Sequence, residues 1–113
     1  MTGLELAKTI ARALEDKLGV DVRILRVEKL TIIADYFVIV SGESSTQVRA
    51  LADEIENRLE QMGIRPVSVE GEPAGGWVLL DYNTVLLHVF HSEAREFYSL
   101  ERLWADATQI EPE

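Results

Sequence analysis

The chain has 113 residues, with 11 Lys and Arg against 20 Asp and Glu, and it contains no cysteine. This length is typical of one domain, and we expect residues 1–113 to form a single one. The lack of cysteine excludes disulfide frameworks, thiolate zinc sites, iron–sulfur clusters and cysteine nucleophiles. The formal net charge of −9 disfavours direct contact with nucleic acid, because phosphate contacts supply most of that affinity. A basic protein partner fits this charge better.

Hydropathy indicates where the protein resides. No apolar run approaches the roughly 20 residues that a membrane-spanning helix needs, and Met1–Glu5 lacks the basic residues of a secretory signal. We therefore expect a cytoplasmic protein without membrane contact. The acidity also has a simpler interpretation, since net charge by itself keeps a small protein in solution.

The first predicted element is an amphipathic helix. Apolar residues recur at alternating spacings of three and four from Leu4 to Leu18, which is the pattern of one helix face. Thr2, with Glu5 three positions later, forms a capping box that marks a helix start. Gly19 is expected to end the helix, since glycine commonly closes one.

Two strands are predicted next. From Asp21 to Glu28 the side chains alternate between the two faces of a strand. Tyr36–Val40 is a continuous run of aromatic and β-branched residues before Ser41–Gly42. Such a run is typical of a strand that is covered on both faces.

A second amphipathic helix follows these strands. Ser44 and Gln47 form another capping box, and an apolar stripe runs from Val48 to Met62. The helix entrance also offers backbone N–H groups to an anion, which makes nucleotide binding or transfer an alternative function. That alternative is weak, because no paired carboxylates follow on a strand to hold Mg²⁺ and no phosphate-binding lysine motif is present.

A short strand and a hairpin come after the second helix. The short strand is predicted at Pro66–Glu70, and the glycine-rich segment Gly71–Gly76 is expected to be a flexible loop. The hairpin strands are predicted at Trp77–Asp81 and Thr84–Phe90, about a turn at Tyr82–Asn83. A turn at that place pairs position 77 with position 88.

The last predicted helix runs from Ser92 to Tyr98. Its charged residues, Arg95 among them, are expected on the solvated side, and the tail from about residue 106 is expected to be frayed. The whole order is helix, strand, strand, helix, three strands and helix. It predicts a small α/β domain in which a mixed sheet of about five strands is flanked by helices.

The predicted hairpin has two different faces. One face carries aliphatic side chains and suits the core beneath the helices. The other includes Trp77, Leu79, Asp81, His88 and Phe90. Aromatic residues with a polar handle are enriched at protein interfaces, so we favour a binding surface. The alternative is that a second layer of chain covers this face and simply buries Trp77.

The sequence indicates no catalytic or metal site. His88 and His91 are three residues apart, but one lies in a strand and the other beyond its end, and no third ligand accompanies them. No G-x-S-x-G nucleophile motif is present. We therefore predict no catalytic residue, no bound metal and no cofactor. Tyr98 and Trp104 either pack under the sheet or extend the aromatic surface, and their spacing does not decide between the two.

Five segments carry a recognisable pattern. They are, in chain order, Ala34–Gly42, Ser44–Ala52, Trp77–Tyr82, His88–Phe90 and Arg95–Trp104. In this order and spacing, from about Leu4 to Trp104, the chain resembles the ribosomal silencing factor (Iojap) family. Asn83 and Thr84 stand where the family has Gly-Asp, and both substitutes suit a tight turn.

The resemblance implies a non-enzymatic translational repressor. Members of the family bind the large ribosomal subunit through its basic ribosomal protein number fourteen and sterically block joining of the small subunit. They thereby lower translation when nutrients are short. The resemblance also implies a fold like that of nucleotidyltransferases without their catalytic carboxylates, and homodimers are common in the family. With the acidic net charge, we expect little direct contact with RNA.

The resemblance also implies which residues bind the partner. They are Trp77, Leu79, Asp81 and His88, to which Asp35 and Tyr98 are added as matches to family motif positions. An acidic domain with an aromatic sheet face suits docking on a basic protein, with Trp77 as the desolvated anchor and Asp81 paired with Arg or Lys. A plain dimerisation module, in which this face pairs with itself, is a further alternative.

Overall fold

A six-stranded mixed sheet carries the fold, and three α-helices accompany it in the described part of the chain. The computed structural model describes residues 1–98, 102 and 104–111, except for the side chains of residues 97 and 98. A 3₁₀ turn at Pro73–Gly75 separates β3 from β4. The elements are α1 (Gly3–Asp16), β1 (Val20–Arg26), β2 (Tyr36–Gly42), α2 (Ser45–Gln61), β3 (Ser68–Glu72), β4 (Trp77–Asp81), β5 (Val85–His91), α3 (Ser92–Tyr98) and β6 (Thr108–Ile110).

The strand order across the sheet is β3-β4-β5-β2-β1-β6. The central pair, β2 and β5, is parallel, and the other neighbours are antiparallel. All residues of β2 are buried, which confirms the prediction that this strand is covered on both faces. The predicted α/β class and mixed sheet are therefore confirmed, with one strand more than expected. None of the described helices combines the length and apolarity needed to cross a bilayer.

The larger core lies on one face of the sheet, which we call the helix face. The apolar stripes of α1 and α2 pack there against the aliphatic side of the hairpin. The hairpin contributes Val78, Leu80, Val85, Leu87 and Val89 to this core. All five are buried, so the predicted aliphatic face is confirmed.

The start of α1 is as predicted and its end is not. Thr2 Oγ1 accepts a hydrogen bond from the Glu5 N–H at 3.1 Å, and Glu5 Oε1 accepts one from the Thr2 N–H at 2.9 Å. At the other end Leu18, with φ of 63°, takes the left-handed conformation. Gly19 is instead needed for close packing, because a Cβ there would lie 2.6 Å from Cγ2 of Val40.

The start of α2 uses its capping residues in an unexpected way. Ser44 Oγ accepts a hydrogen bond from the Gln47 N–H at 3.1 Å, as predicted. The Gln47 side chain does not return to Ser44. It accepts from the Glu43 N–H at 2.7 Å and donates to the Leu18 carbonyl oxygen at 3.2 Å. The predicted anion-binding entrance is thus engaged by the chain's own glutamine.

The hairpin differs from the prediction by two residues. Its turn lies at Asn83–Thr84 and not at Tyr82–Asn83, and Asn83 has a φ of 71°. Trp77 therefore pairs with Phe90, two positions further along β5 than expected. Because strand side chains alternate with a period of two, this shift leaves every β4 side chain on its predicted face.

The predicted frayed tail is wrong for Thr108–Ile110. These residues form β6, antiparallel to β1, with Ile110 opposite Ile24. The side chain of Ile110 packs against the helix-face core. The physical reason is that β1 would otherwise expose an unpaired edge, and a short β-branched segment covers it.

Candidate protein-docking surface

Three of the predicted binding residues lie side by side on β4. Trp77, Leu79 and Asp81 alternate with the buried Val78 and Leu80, and each of the three is partly exposed. The period of two along a strand puts all three on the sheet face opposite the helix face. We call this the second face. The structure brings the three predicted binding residues of β4 together on it.

Two aromatic rings on β5 stack against the Trp77 indole. Phe90 lies opposite Trp77 in the register, and its ring stacks on the indole with centroids 5.4 Å apart and planes 17° apart. His88, opposite Leu79, stacks on the same indole with centroids 5.9 Å apart and planes 18° apart. Stacked rings hold one another in a fixed orientation, so the indole is preorganised.

His88 itself is not a surface residue. Only 5% of it is exposed, which corrects the expectation that its ring contributes directly to a contact surface. The reason is that Phe37 packs edge-on against the His88 ring, with centroids 4.9 Å apart, while Trp77 stacks beside it. Its role in any docking is to support Trp77.

The second face is closed at its centre and open at one end. A smaller core of buried residues on β1, β2 and β5 lies there, and the partly buried Ala94, Trp104 and Ala107 pack against it. Trp104 meets Phe37 edge-on with centroids 5.2 Å apart, so it packs on the sheet. Each of the two alternatives for this face, a covered surface and an exposed one, therefore applies to one strand. The second face is buried along β5 and partly exposed along β4. The side chain of Tyr98 lies outside the described residues.

A groove borders Trp77 on the second face. It has a volume of about 170 Å³ and is lined by Glu70 and Gly71 of β3 with Trp77 and Leu79 of β4. In the register Glu70 lies opposite Leu79, and Glu72 lies opposite Trp77. Neither acidic residue was predicted from the sequence. The signal that could have found them is the alternation along β3, because Glu70 shares its strand face with Leu79 across the pair.

The two predicted aspartates lie near the hairpin turn. Asp81 Oδ1 accepts a hydrogen bond from the Asn83 N–H at 2.7 Å, so it orders the turn. Asp35 precedes β2, and its N–H donates to the Thr84 carbonyl oxygen at 2.9 Å. Both are partly exposed. The structure therefore brings Asp35 to the turn that follows β4, but not into the groove beside Trp77.

Arg95 is a residue whose place the sequence did not reveal. It is 8% exposed, so the expectation that it lies on the solvated side of its helix is wrong. Its Nη1 donates to the Asp21 carbonyl oxygen at 2.6 Å and to Ser41 Oγ at 3.0 Å. The acceptors at the ends of β1 and β2 explain the burial, because they offer a desolvated guanidinium its hydrogen bonds. Arg95 thereby ties α3 to the sheet.

A metal site at His88 and His91, which the sequence disfavours, gains no support from the described residues. Among the described residues no group of three or more His, Asp or Glu side chains is placed to hold a metal ion. The Nδ1 atom of His91 accepts a hydrogen bond from the Glu93 N–H at 3.3 Å. The described residues offer a stacked, partly exposed tryptophan beside acidic side chains, and aromatic residues are enriched at protein interfaces.

Burial of His88 has a consequence for stability below neutral pH. Desolvation lowers the pKa of His88 to about 4, and neither ring nitrogen has a hydrogen-bond partner among the described residues. Above pH 7 the ring is neutral in both the folded and the unfolded chain. As the pH falls below the unfolded value of 6.5, only the unfolded chain takes up the proton, so folding is disfavoured.

We therefore expect His88 to lower the free energy of unfolding by about 1.2 kcal/mol between pH 6 and pH 5. Urea denaturation at pH 7, 6 and 5 measures this slope. The variant His88→Phe should lose that part of the slope and keep the rest of it. Equal slopes in the two proteins would contradict the assignment to His88.

Comparison with known proteins gives a consistent result. The family described as RsfS, ribosomal silencing factor during starvation, matches residues 1–113. A Bacillus subtilis protein named ribosomal silencing factor RsfS is 40% identical over 107 residues, which are 95% of this chain and 91% of that protein. A mouse protein named mitochondrial assembly of ribosomal large subunit protein 1 is 31% identical over 87 residues, 74% of this chain and 38% of that protein.

A solved structure shares the fold. A crystal structure of a protein from Chromobacterium violaceum is similar with a TM-score of 0.88 and 36% sequence identity, covering 93% of this chain and 88% of that one. This likeness confirms the predicted fold class. The matched family and the Bacillus relative are named as silencing factors and not as enzymes.

Proposed function

Because the chain belongs to the family of ribosomal silencing factors, we propose that it represses translation by binding the large ribosomal subunit. Its direct partner there is the basic ribosomal protein number fourteen, and the bound domain blocks joining of the small subunit. The observation that carries this proposal is the partly exposed Trp77 at the open end of the second face, stacked on Phe90 and bordered by a groove. No reaction is required, since occupancy of the joining surface is sufficient.

Charge supports a basic protein as the partner. Glu70 lines the groove beside Trp77, and Glu72 and Asp81 lie in the same two strands. With a net charge of −9, the domain attracts a basic surface and disfavours phosphate. Asp81 would then pair with an Arg or Lys of the partner, and contact with ribosomal RNA would be small.

The remaining predicted residues take secondary roles in this proposal. Asp35 and Tyr98 extend the contact beyond β4, and His88 acts from behind by holding the Trp77 indole. The mouse relative is named for assembly of the ribosomal large subunit, which supports the choice of subunit. The protein would act in the cytoplasm when nutrients are short.

Co-sedimentation with separated ribosomal subunits tests the proposal. At micromolar concentration the protein should sediment with large subunits purified from Bacillus subtilis and not with small ones. Added before the subunits are mixed, it should reduce the amount of joined ribosomes in a sucrose gradient. If the protein and the large subunits sediment apart, the proposal is wrong. Calorimetry with Mg²⁺ and ATP should give no binding heat, and a measured heat would favour the nucleotide alternative.

A further inference from the structure

β3 forms one edge of the sheet. It pairs with β4, and no other strand of the described residues lies on its outer side. Its residues from Val69 onward are exposed, and Val67, just before it, is 72% exposed. An edge strand presents N–H and C=O groups that can pair with another chain, so β3 is a template for strand addition.

A groove lies on each side of this edge. On the second face is the groove beside Trp77, lined by Glu70. On the helix face a groove of about 360 Å³ lies between β3 and α2, lined by Val69 with Asp53 and Glu56 among others. Side chains of an added strand point alternately to the two faces of a sheet, so they would enter these two grooves in turn.

We propose that a basic, extended segment of the partner protein adds to β3 as a further strand of the sheet. Main-chain hydrogen bonds to β3 supply affinity in this mode of recognition, and pockets for alternate side chains supply specificity. An arginine that enters the groove on the second face meets the Glu70 carboxylate and the face of Trp77, a combination that favours a guanidinium. A lysine or arginine on the other side meets Asp53 and Glu56. This inference rests on the proposed function and names how the partner is held.

A second copy of the chain fits this edge less well. Antiparallel self-pairing centred on Glu70 or on Gly71 places carboxylates of the two copies opposite each other, and like charges in opposite positions are destabilising. The side chains of α2 that face the groove add to this repulsion, because Asp53 and Glu56 outnumber Arg49 there. The charge of the edge therefore favours a basic occupant.

Hydrogen exchange with large subunits tests the inference. The amides of Ser68–Glu72 that point away from β4 should exchange at least about tenfold more slowly when the protein is bound, because strand pairing protects N–H groups that are open in the free protein. The variant Glu70→Lys should weaken binding at least about tenfold. Glu15→Lys makes the same change of charge on the exposed side of α1 and should alter binding by less than about twofold.

A synthetic peptide of alternating arginine and valine tests the edge without ribosomes. It should slow exchange of the β3 amides, and a peptide of alternating glutamate and valine should not. Binding of large subunits with unchanged β3 exchange would overturn strand addition while leaving the proposed function intact. Absence of any binding to large subunits would overturn the proposed function, and a peptide effect would then still support an acidic edge that takes a basic segment. Protection in the free protein that disappears on dilution would show a second copy on the edge and overturn the inference.

Discussion

Replacement of Trp77 by alanine should weaken binding to the large ribosomal subunit by about 30- to 1,000-fold, equivalent to about 2–4 kcal/mol. The indole is partly exposed on β4, and the stacked rings of Phe90 and His88 fix its orientation. A preorganised aromatic side chain loses little conformational entropy on binding, so most of its contact energy contributes to affinity and is lost when it is removed. Sedimentation of the protein with a concentration series of large subunits measures the change.

The control for this experiment is Met62→Ala. Met62 is 47% exposed and follows α2, which packs on the helix face. Its loss should leave the affinity within about twofold of wild type. Urea denaturation of both variants separates an effect on binding from one on folding. Intact subunit binding by Trp77→Ala would contradict the docking surface, and loss of a dimer in that variant with binding retained would show that the face pairs with itself.

Replacement of Arg95 by alanine should lower the free energy of unfolding by about 1–3 kcal/mol, because it removes the hydrogen bonds to the buried Ser41 Oγ and to the part-buried Asp21 carbonyl oxygen. The guanidinium donates to the Asp21 carbonyl oxygen and to Ser41 Oγ, and Nη2 lies 3.5 Å from Oδ2 of Asp21. A truncated side chain offers none of these hydrogen bonds. Urea denaturation at pH 7 measures the loss.

Two further variants define what Arg95 contributes. Arg95→Lys keeps the charge but cannot serve several acceptors in the plane of a guanidinium, so it should recover only part of the stability. Arg12→Ala, at an exposed position of α1, should change the free energy of unfolding by less than about 0.5 kcal/mol. Amide exchange in α3 should accelerate in Arg95→Ala alone. Equal stability of Arg95→Ala and Arg12→Ala would show that the buried hydrogen bonds contribute nothing.

Local periodicity is sufficient to predict the two long helices, the buried central strand and the alternation along β4. The spacing of apolar residues defines α1 and α2, and the unbroken apolar run of β2 indicates burial on both faces. Alternation along β4 places Trp77, Leu79 and Asp81 on one side whatever the exact turn. That is why an error of two residues in the hairpin register leaves their placement correct.

Contacts between distant parts of the chain could not be predicted in this way. Arg95 finds its acceptors 74 and 54 residues earlier in the chain, and nothing near it in sequence indicates them. The burial of His88 depends equally on Phe37, which belongs to another strand. The tail forms β6 only because β1 is available as its neighbour, so its local composition indicates fraying.

Gly71 lies within the acidic edge strand, opposite Val78 of the strand that carries the tryptophan. Its φ is 85°, and any Cβ at this position would collide with the Trp77 carbonyl oxygen. The backbones of β3 and β4 can therefore approach here only through a residue without a side chain. The two strand backbones that carry Glu70 and Trp77 are therefore closely paired, and a ligand in the groove contacts both residues. Selectivity between ligands would then depend on the close pairing of these two backbones. Because they lie at the edge of the sheet, substitutions of exposed side chains there leave the core packing unchanged.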